Sequence, residues 1–184
     1  MRTTPTPDKP YTIATLAYLF DAQGRVLMLH RCKPPNESLY SPIGGKLEVG
    51  IGESPHVSCA REIEEEAGVT VNPFELHLTG VVSESNYMGL GHWLMFLYEL
   101  PRPVSVTRRE FDEGRLSWHE PADLADLELP VSDRDHLWPL FLAHRGGFFA
   151  AHLACEGDVI TRHLYQSLPA RPQPADPLTP RDRP

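Results

Sequence analysis

The stretch "GGKLEVGIGESPHVSCAREIEEEAGV", Gly44 to Val69, holds six glutamates, one arginine and a cluster of glycines. Carboxylates this close repel one another unless something offsets their charge. Ser54-Pro55 opens a helix, with serine as N-cap and proline at the first helical position, and Gly68 is a natural stop. At about 100° per residue from Val57, the side chains of Val57, Ala60, Ile63 and Ala67 fall on one stripe, the expected buried face. On the same wheel Glu62, Glu65 and Glu66 fall at about 140°, 80° and 180°, on the opposite face. Like charges at that spacing destabilise an isolated helix by about 0.2–0.5 kcal/mol per pair. A bare acidic run of this kind reads as a solvated face. Two neighbours point to a different use. The glycine-rich segment just upstream can turn bare carbonyls toward an ion, and Arg61 can hold a carboxylate bidentately. An all-oxygen donor set suits Mg²⁺ or Mn²⁺. Such ions would neutralise the acids, and phosphates would neutralise the ions.

The whole chain fits that use. It has 184 residues and a formal charge of −8, enough length for one domain and a tail. The charge argues against electrostatic grip on a nucleic-acid polymer, but a small phosphorylated substrate remains compatible if a divalent cation supplies local positive charge. Cys32, Cys59 and Cys155 are scattered with no CxxC, and are expected to be free buried thiols in a reducing compartment. No apolar run reaches the length of a membrane span, and the start "MRTTPTPDKP" is unlike a signal peptide. The expectation is a cytoplasmic protein without membrane contact.

The elements that must position the acids can be read in order. Tyr11–Phe20 and Val26–Arg31 are strand-like and flank a turn at Gly24, which predicts a hairpin. The proline-rich segment 33–42 is loop. A helix is expected over Ser54–Ala67, then strands over Phe74–Glu84, His92–Leu100 and Arg115–Trp118. Helices follow at 121–127 and 132–144, and a closing hairpin turns at Glu156–Gly157–Asp158. The order is mixed α/β. Residues 1–10 and 169–184, rich in proline and charge, are expected to be flexible, which leaves 11–168 as the domain.

The acidic segment resembles the Nudix box, G-x5-E-x7-R-E-U-x-E-E-x-G-U, where U is aliphatic. From Glu53 through Arg61, Glu62, Glu65, Glu66, Gly68 and Val69 the match is complete. Upstream, seven residues rather than five separate Gly45 from Glu53. The resemblance implies an α/β/α sandwich with a mixed sheet and a catalytic loop–helix–loop. It also implies metal-dependent hydrolysis of a nucleoside diphosphate linked to a group X. Carried over residue by residue, Gly44, Glu62, Glu65 and Glu66 are metal-ligand candidates, Glu62 is the favoured base, and Arg61 and Glu53 orient the acids. Lys46, in the glycine opening, is a substrate-binding candidate.

A looser likeness, over Tyr11 to Tyr165, is to the oxidised-purine nucleoside triphosphatases of that family. There an acidic pair precedes a tryptophan by the spacing of Asp112-Glu113 to Trp118, which makes Glu113 a further metal-ligand candidate. Tyr40 fills the place of a loop aromatic. The adjacent acids that grip the base correspond to Asp133 and Asp135, here split, and the stacking tryptophan is replaced by Leu129. Asp133 also reads as a helix N-terminal acid, and Tyr40 equally as a cover for the sheet edge. Trp93 and Trp138 read as core. The expected activity is hydrolysis of a purine nucleoside triphosphate such as 8-oxo-dGTP to monophosphate and pyrophosphate. The alternatives are ADP-ribose, a dinucleoside polyphosphate or another nucleotide sugar as substrate, or a non-catalytic ligand-sensing module.

Overall fold

The computed structural model describes residues 10–89, 91–157 and 159–168. The expected flexible segments 1–10 (but for Pro10) and 169–184, and Asp158 of the closing turn, lie outside them. Among the described residues nine strands form two sheets. Strands β1 (Tyr11–Tyr18), β5 (His92–Glu99), β4 (His77–Tyr87), β8 (Phe148–Gly157) and β9 (Val159–Leu168) lie in that order. β1 is parallel to β5 and β4 to β8, while β4–β5 and β8–β9 are antiparallel, so the sheet is mixed. A smaller sheet runs β3 (Tyr40–Ser41), β2 (Val26–Arg31), β7 (Gly114–His119), β6 (Glu110–Phe111).

Helix α1 (Pro55–Glu62) covers one face of the large sheet, and α2 (Trp138–Ala143) the other. On the α1 side Cys59, Ala60 and Ile63 pack with Ala17, Tyr98 and Leu100. On the α2 side Trp138 and Phe141 pack with Tyr18, Val82, Leu97 and Phe149, and the Tyr18 and Phe141 rings stack at 3.7 Å between centroids. Each fully buried large apolar side chain contributes about 1.5–3 kcal/mol, so the two clusters lock both helices onto the sheet. This is the expected α/β/α sandwich.

β1 and β2 do not form a hairpin. Only Phe20 and Val26 bridge, and the strands then part into different sheets. The edge of β1 that β2 would need is taken by residues 43–47: Ala17 N–H donates to Ile43 O at 2.8 Å, Thr15 N–H to Gly45 O at 2.9 Å, and Leu47 N–H to Ile13 O at 3.0 Å. The turn itself closes through Asp21, whose carboxylate accepts from the Gln23 and Arg25 amides and from the Arg25 guanidinium.

The helix also differs in detail. Regular α-helix ends at Glu62, and Ile63–Ala67 continues as one wide turn. The buried stripe holds Cys59, Ala60, Ile63 and Ala67, while Val57, at its edge, is exposed. β4 starts at His77, because Asn72 and Glu75 form a capping box around Pro73–Glu75, which leaves Phe74 exposed. The expected helix at 121–127 is a tight turn, Pro121–Asp126. Cys59 and Cys155 are buried, but Cys32 is exposed. No helix among the described residues is long and apolar enough to cross a membrane.

Candidate active site

The loop along the β1 edge requires its glycines. Gly44 has φ +145°, and a Cβ there would stand 2.1 Å from the Thr15 carbonyl oxygen. A Cβ on Gly45 would meet Glu62 Oε1 at 2.3 Å. The missing side chain therefore leaves the space that the Glu62 carboxylate occupies.

The two additional residues fall in a turn that projects into solvent. Val49–Ile51 forms a tight turn with Val49 and Ile51 in solvent, and Gly52 in the left-handed conformation ends it. The base of this turn is stapled: Glu48 N–H donates to Glu53 Oε2 at 2.9 Å, and Glu53 N–H to Glu48 O at 3.3 Å. Glu53 thereby reaches Arg61.

Arg61 organises the acids. Its Nε and Nη2 donate to the two Glu53 oxygens at 2.9 and 3.1 Å, a bidentate pair. Its Nη1 donates to Glu62 Oε1 at 2.6 Å and to Glu65 Oε2 at 3.3 Å, and Nη2 also reaches the Lys46 carbonyl at 3.3 Å. The Arg61 hydrogen bond holds the Glu53 carboxyl below its usual range. Burial pushes Glu62 up against the opposing pull of Arg61, and the charges of Glu65 and Glu113 add to the rise.

Glu66 is placed differently. The wide turn swings it inward, where it is 4% exposed, and its Oε2 accepts from Gly44 N–H at 2.9 Å. Burial is the main cause that pushes its carboxyl up to about 8, with the Glu62 and Glu113 charges adding. Here the structure brings the Gly44 amide, not its carbonyl, to the acid. Glu65 is exposed on the rim. Glu113, in the turn before β7, faces the same space and pairs with Arg31 at 3.5 Å. Arg108 donates to the Glu65 carbonyl and closes the end of the helix.

Of these acids Glu62 and Glu113 border a cavity of about 380 Å³ between the two sheets. Glu62, Glu113, Gly44 and Gly45 line one end, and Arg31, Lys33 and Lys46 supply its cations. Of the residues expected to bind substrate, Lys46 and Asp133 line it. Tyr40 does not: it packs between His30 and His119, with ring centroids at 4.7 and 5.3 Å, and covers the sheet. Asp135 does not either: it is exposed and ion-paired with Arg134 at 2.8 Å, two residues past the cavity-lining Asp133. Trp93, expected in the core, lines the cavity with Lys46 Nζ 5.8 Å from its ring, whereas Trp138 is core.

Sequence reasoning missed Glu84 and Tyr87, which also line this space, as do Asn36 and Ser132. Tyr87 donates its hydroxyl to Asn36 Oδ1 at 3.1 Å. For Glu84 a signal existed: it shares strand parity with the buried Val82 on β4 and is itself 4% exposed.

Carboxylates and carbonyls are hard oxygen donors of the kind divalent cations take. As placed, no three His, Cys, Asp or Glu side chains among the described residues converge on one point. The donor chemistry nevertheless fits. Glu62, Glu66 and Glu113 lie within electrostatic reach of one another, Glu66 is buried, and a single guanidinium holds only the outer part of the set. Glu65 and Glu113 are exposed side chains at its rim.

Comparison with known proteins agrees with this geometry. The family profile described as NUDIX domain matches residues 10–139. An uncharacterized Nudix hydrolase of Bacillus subtilis, YvcI, is 29% identical over 111 residues. That match covers 59% of this chain and 66%, just under two thirds, of the relative. Among solved structures, the MutT protein from Bacillus halodurans superposes with a TM-score of 0.66 at 21% identity, covering 84% of this chain and 97% of that one. The Nudix domain of Shewanella oneidensis NrtR, solved with ADP ribose, gives 0.61 at 18% identity, covering 75% and 90%. These likenesses show a shared fold. With a profile spanning well over half the sequence and the box residues gathered around Arg61, the chain belongs to the Nudix family.

Proposed function

We propose that this protein is a divalent-metal-dependent pyrophosphohydrolase that cleaves a purine nucleoside triphosphate, an oxidised one such as 8-oxo-dGTP, to the monophosphate and pyrophosphate. The observation that carries the reading is Arg61, whose one guanidinium holds Glu53, Glu62 and Glu65 together, with Glu62 in the wall of a cavity sized for one nucleotide.

Nudix hydrolases generally use a divalent metal. Gly44, Glu62, Glu65, Glu66 and Glu113 would hold Mg²⁺ or Mn²⁺ here. The ion would lower the pKa of a water and offset phosphate charge in the transition state. The rest falls to the chain's own residues. Lys46, Lys33 and Arg31 draw the polyphosphate toward the acidic end. Trp93 offers a face for the base to stack on, since Leu129 is buried in the core and cannot. A water oxygen bonds to phosphorus, the bridging P–O bond breaks with its electrons leaving on pyrophosphate, and the water's proton passes to Glu62. Glu62 lines the cavity and its carboxyl is raised by burial, both of which suit a base. Arg61 and Glu53 hold Glu62 in place.

Incubation with nucleoside triphosphates, 8-oxo-dGTP, ADP-ribose and a dinucleoside polyphosphate, with and without Mg²⁺, tests this by product identity. Monophosphate plus pyrophosphate, only with the ion, is expected, and Glu65→Gln lowers turnover by about 100-fold or more. AMP and ribose phosphate from ADP-ribose would reassign X. Unchanged turnover in Glu65→Gln would remove the site assignment.

A further inference from the structure

The five-stranded sheet ends on one side in β9, and no strand among the described residues pairs with its outer edge. The opposite edge, on β1, is covered by residues 43–47. Every β9 residue except Ile160 is exposed, Leu164 by 71% and Tyr165 by 53%. A free edge presents a row of N–H and C=O groups to any chain that can pair with it, and proteins ordinarily blunt it with proline, lysine or shortness. Val159–Leu168 runs for ten residues with no proline and no lysine. Its one irregularity lies near the start, where Thr161 falls out of register between Ile160, opposite Cys155, and Arg162, opposite Ala154. Arg162–Leu168 is then a regular ladder.

Residues opposite one another share a face of the sheet. His163, Tyr165 and Ser167 lie opposite the buried Leu153, Ala151 and Phe149, so they look toward α2. There the His163 ring sits 5.0 Å from His136 and 5.8 Å from Tyr165, between centroids. Arg162, Leu164, Gln166 and Leu168 take the other face. Both faces of this edge therefore carry large side chains that one further strand would cover.

We infer that β9 is the contact surface for a second copy of this chain, whose β9 adds antiparallel to it about a twofold axis at Leu164 and continues the sheet across a dimer. The residues themselves select this occupant. About that axis Leu164 meets the partner's Leu164, His163 meets the partner's Tyr165, and Arg162 meets the partner's Gln166. Apolar falls on apolar, ring on ring, and the one charge of the regular ladder on a neutral amide. Moving the axis to Tyr165 sets Leu164 against Gln166 and Arg162 against Leu168. Moving it to His163 sets Arg162 against Leu164 and Tyr165 against Thr161. Parallel pairing in register puts Arg162 beside Arg162. The twofold arrangement closes after two copies, as the commonest oligomers do. Residues 169–184 match the edge less well: six of the sixteen are proline, which has no N–H to give to a ladder. Pairing over 162–166 supplies about four to six main-chain hydrogen bonds, against about ten in a typical interface, so the dimer is a weak one.

The test is the association state of the full chain, which involves no turnover. Sedimentation velocity from about 1 to about 300 μM is expected to show a monomer–dimer equilibrium with a dissociation constant of about 1–100 μM. Leu164→Lys sets two ammonium groups across the axis and is expected to weaken association by at least about tenfold. Its melting temperature should not change, because the side chain is in solvent. Ile51→Lys, the same kind of change at an apolar side chain exposed elsewhere, is expected to leave association unaltered. Cross-linking decides the register in a Cys32→Ser background, since Cys59 and Cys155 are buried. There Leu164→Cys should be joined into dimers by a short bis-maleimide, and Ile51→Cys should not. Monomer at every concentration overturns the proposal, whether residues 169–184 or another protein takes the edge. So does a dimer that Leu164→Lys leaves intact, that Ile51→Lys weakens as much, or that Leu164→Cys fails to cross-link.

Discussion

Two regions of this molecule crowd carboxylates together and relieve the repulsion by opposite means. At the mouth of the cavity one guanidinium touches Glu53, Glu62 and Glu65, and the Glu53 carboxyl is held low. At the inner end and beneath the glycine loop, Asp133, Glu84 and Glu66 have no such partner, and burial drives them up. A fixed cation favours the ionised, oriented form of the acid it pairs with, as at Glu53. Acids without one are left to bind protons, or whatever cation or donor replaces the proton. The first arrangement suits positioning, and the second suits recognition and exchange.

The comparison breaks most severely at Glu62. Glu62→Gln keeps the shape and a hydrogen-bond partner for Arg61 but removes the charge. Steady-state turnover is expected to fall about 100- to 1000-fold, and a variant within threefold of wild type would remove Glu62 from the chemistry. Next comes the adjoining pair of glycines. Gly45→Ala places a methyl where the Glu62 carboxylate sits, against the movable end of a side chain. It should fold with a nearly unchanged melting temperature and lose about 10- to 100-fold in kcat. Gly44→Ala meets backbone at 2.1 Å with φ +145°, so it should lose stability itself.

The pH dependence of stability separates the regions by sign. Glu66 and Asp133 are raised on folding to about 8 and about 7. Their contribution in the metal-free protein is full below the unfolded carboxyl range and is lost as pH rises through those values. Glu53 is lowered, so its contribution is present above that range and is lost on acidification. Thermal melts of metal-free protein should therefore decline from about pH 5 to about pH 9, and Asp133→Asn and Glu66→Gln should flatten the decline. Glu53→Gln should instead cost more at neutral pH than in acid. Added Mg²⁺ should raise the melting temperature most at alkaline pH, where protons no longer compete for Glu66. The smallest effects are expected at Asp135→Asn and Ile51→Ser, each within about 0.5 kcal/mol in denaturant melts and without change in KM, because both side chains face solvent.

The outer region was the legible one. Arg61, Glu53, Glu62 and Glu65 sit on consecutive local structure, so spacing alone brings them near each other, and Ser54 and Gly68 bound the helix as expected. What spacing did not convey was the widened turn after Glu62, which separates buried Glu66 from exposed Glu65 although regular helical spacing puts both on one face. The inner region depends on long-range pairing. Glu84 meets Asp133 only because β4 lies beside β8 and α2 closes over that face. Asp135 looked equivalent to Asp133 in sequence, but the wide turn directs it outward. The missed β1–β2 arrangement has the same origin. Both strands were found, but the competitor for β1's edge was a loop of glycines with no strand signal.

The stapled turn at Val49–Ile51 carries a consequence for recognition of the motif itself. The Glu53 carboxylate accepts from the Glu48 amide and the Glu53 amide donates to the Glu48 carbonyl, so the feet of the turn stay together while Val49–Ile51 project outward. Chain length between Gly45 and Glu53 is then a free variable, and the selectable property is the clasp. A pattern that fixes the count of intervening residues passes over such a protein, whereas one that asks for an acid at the second foot of the loop finds it.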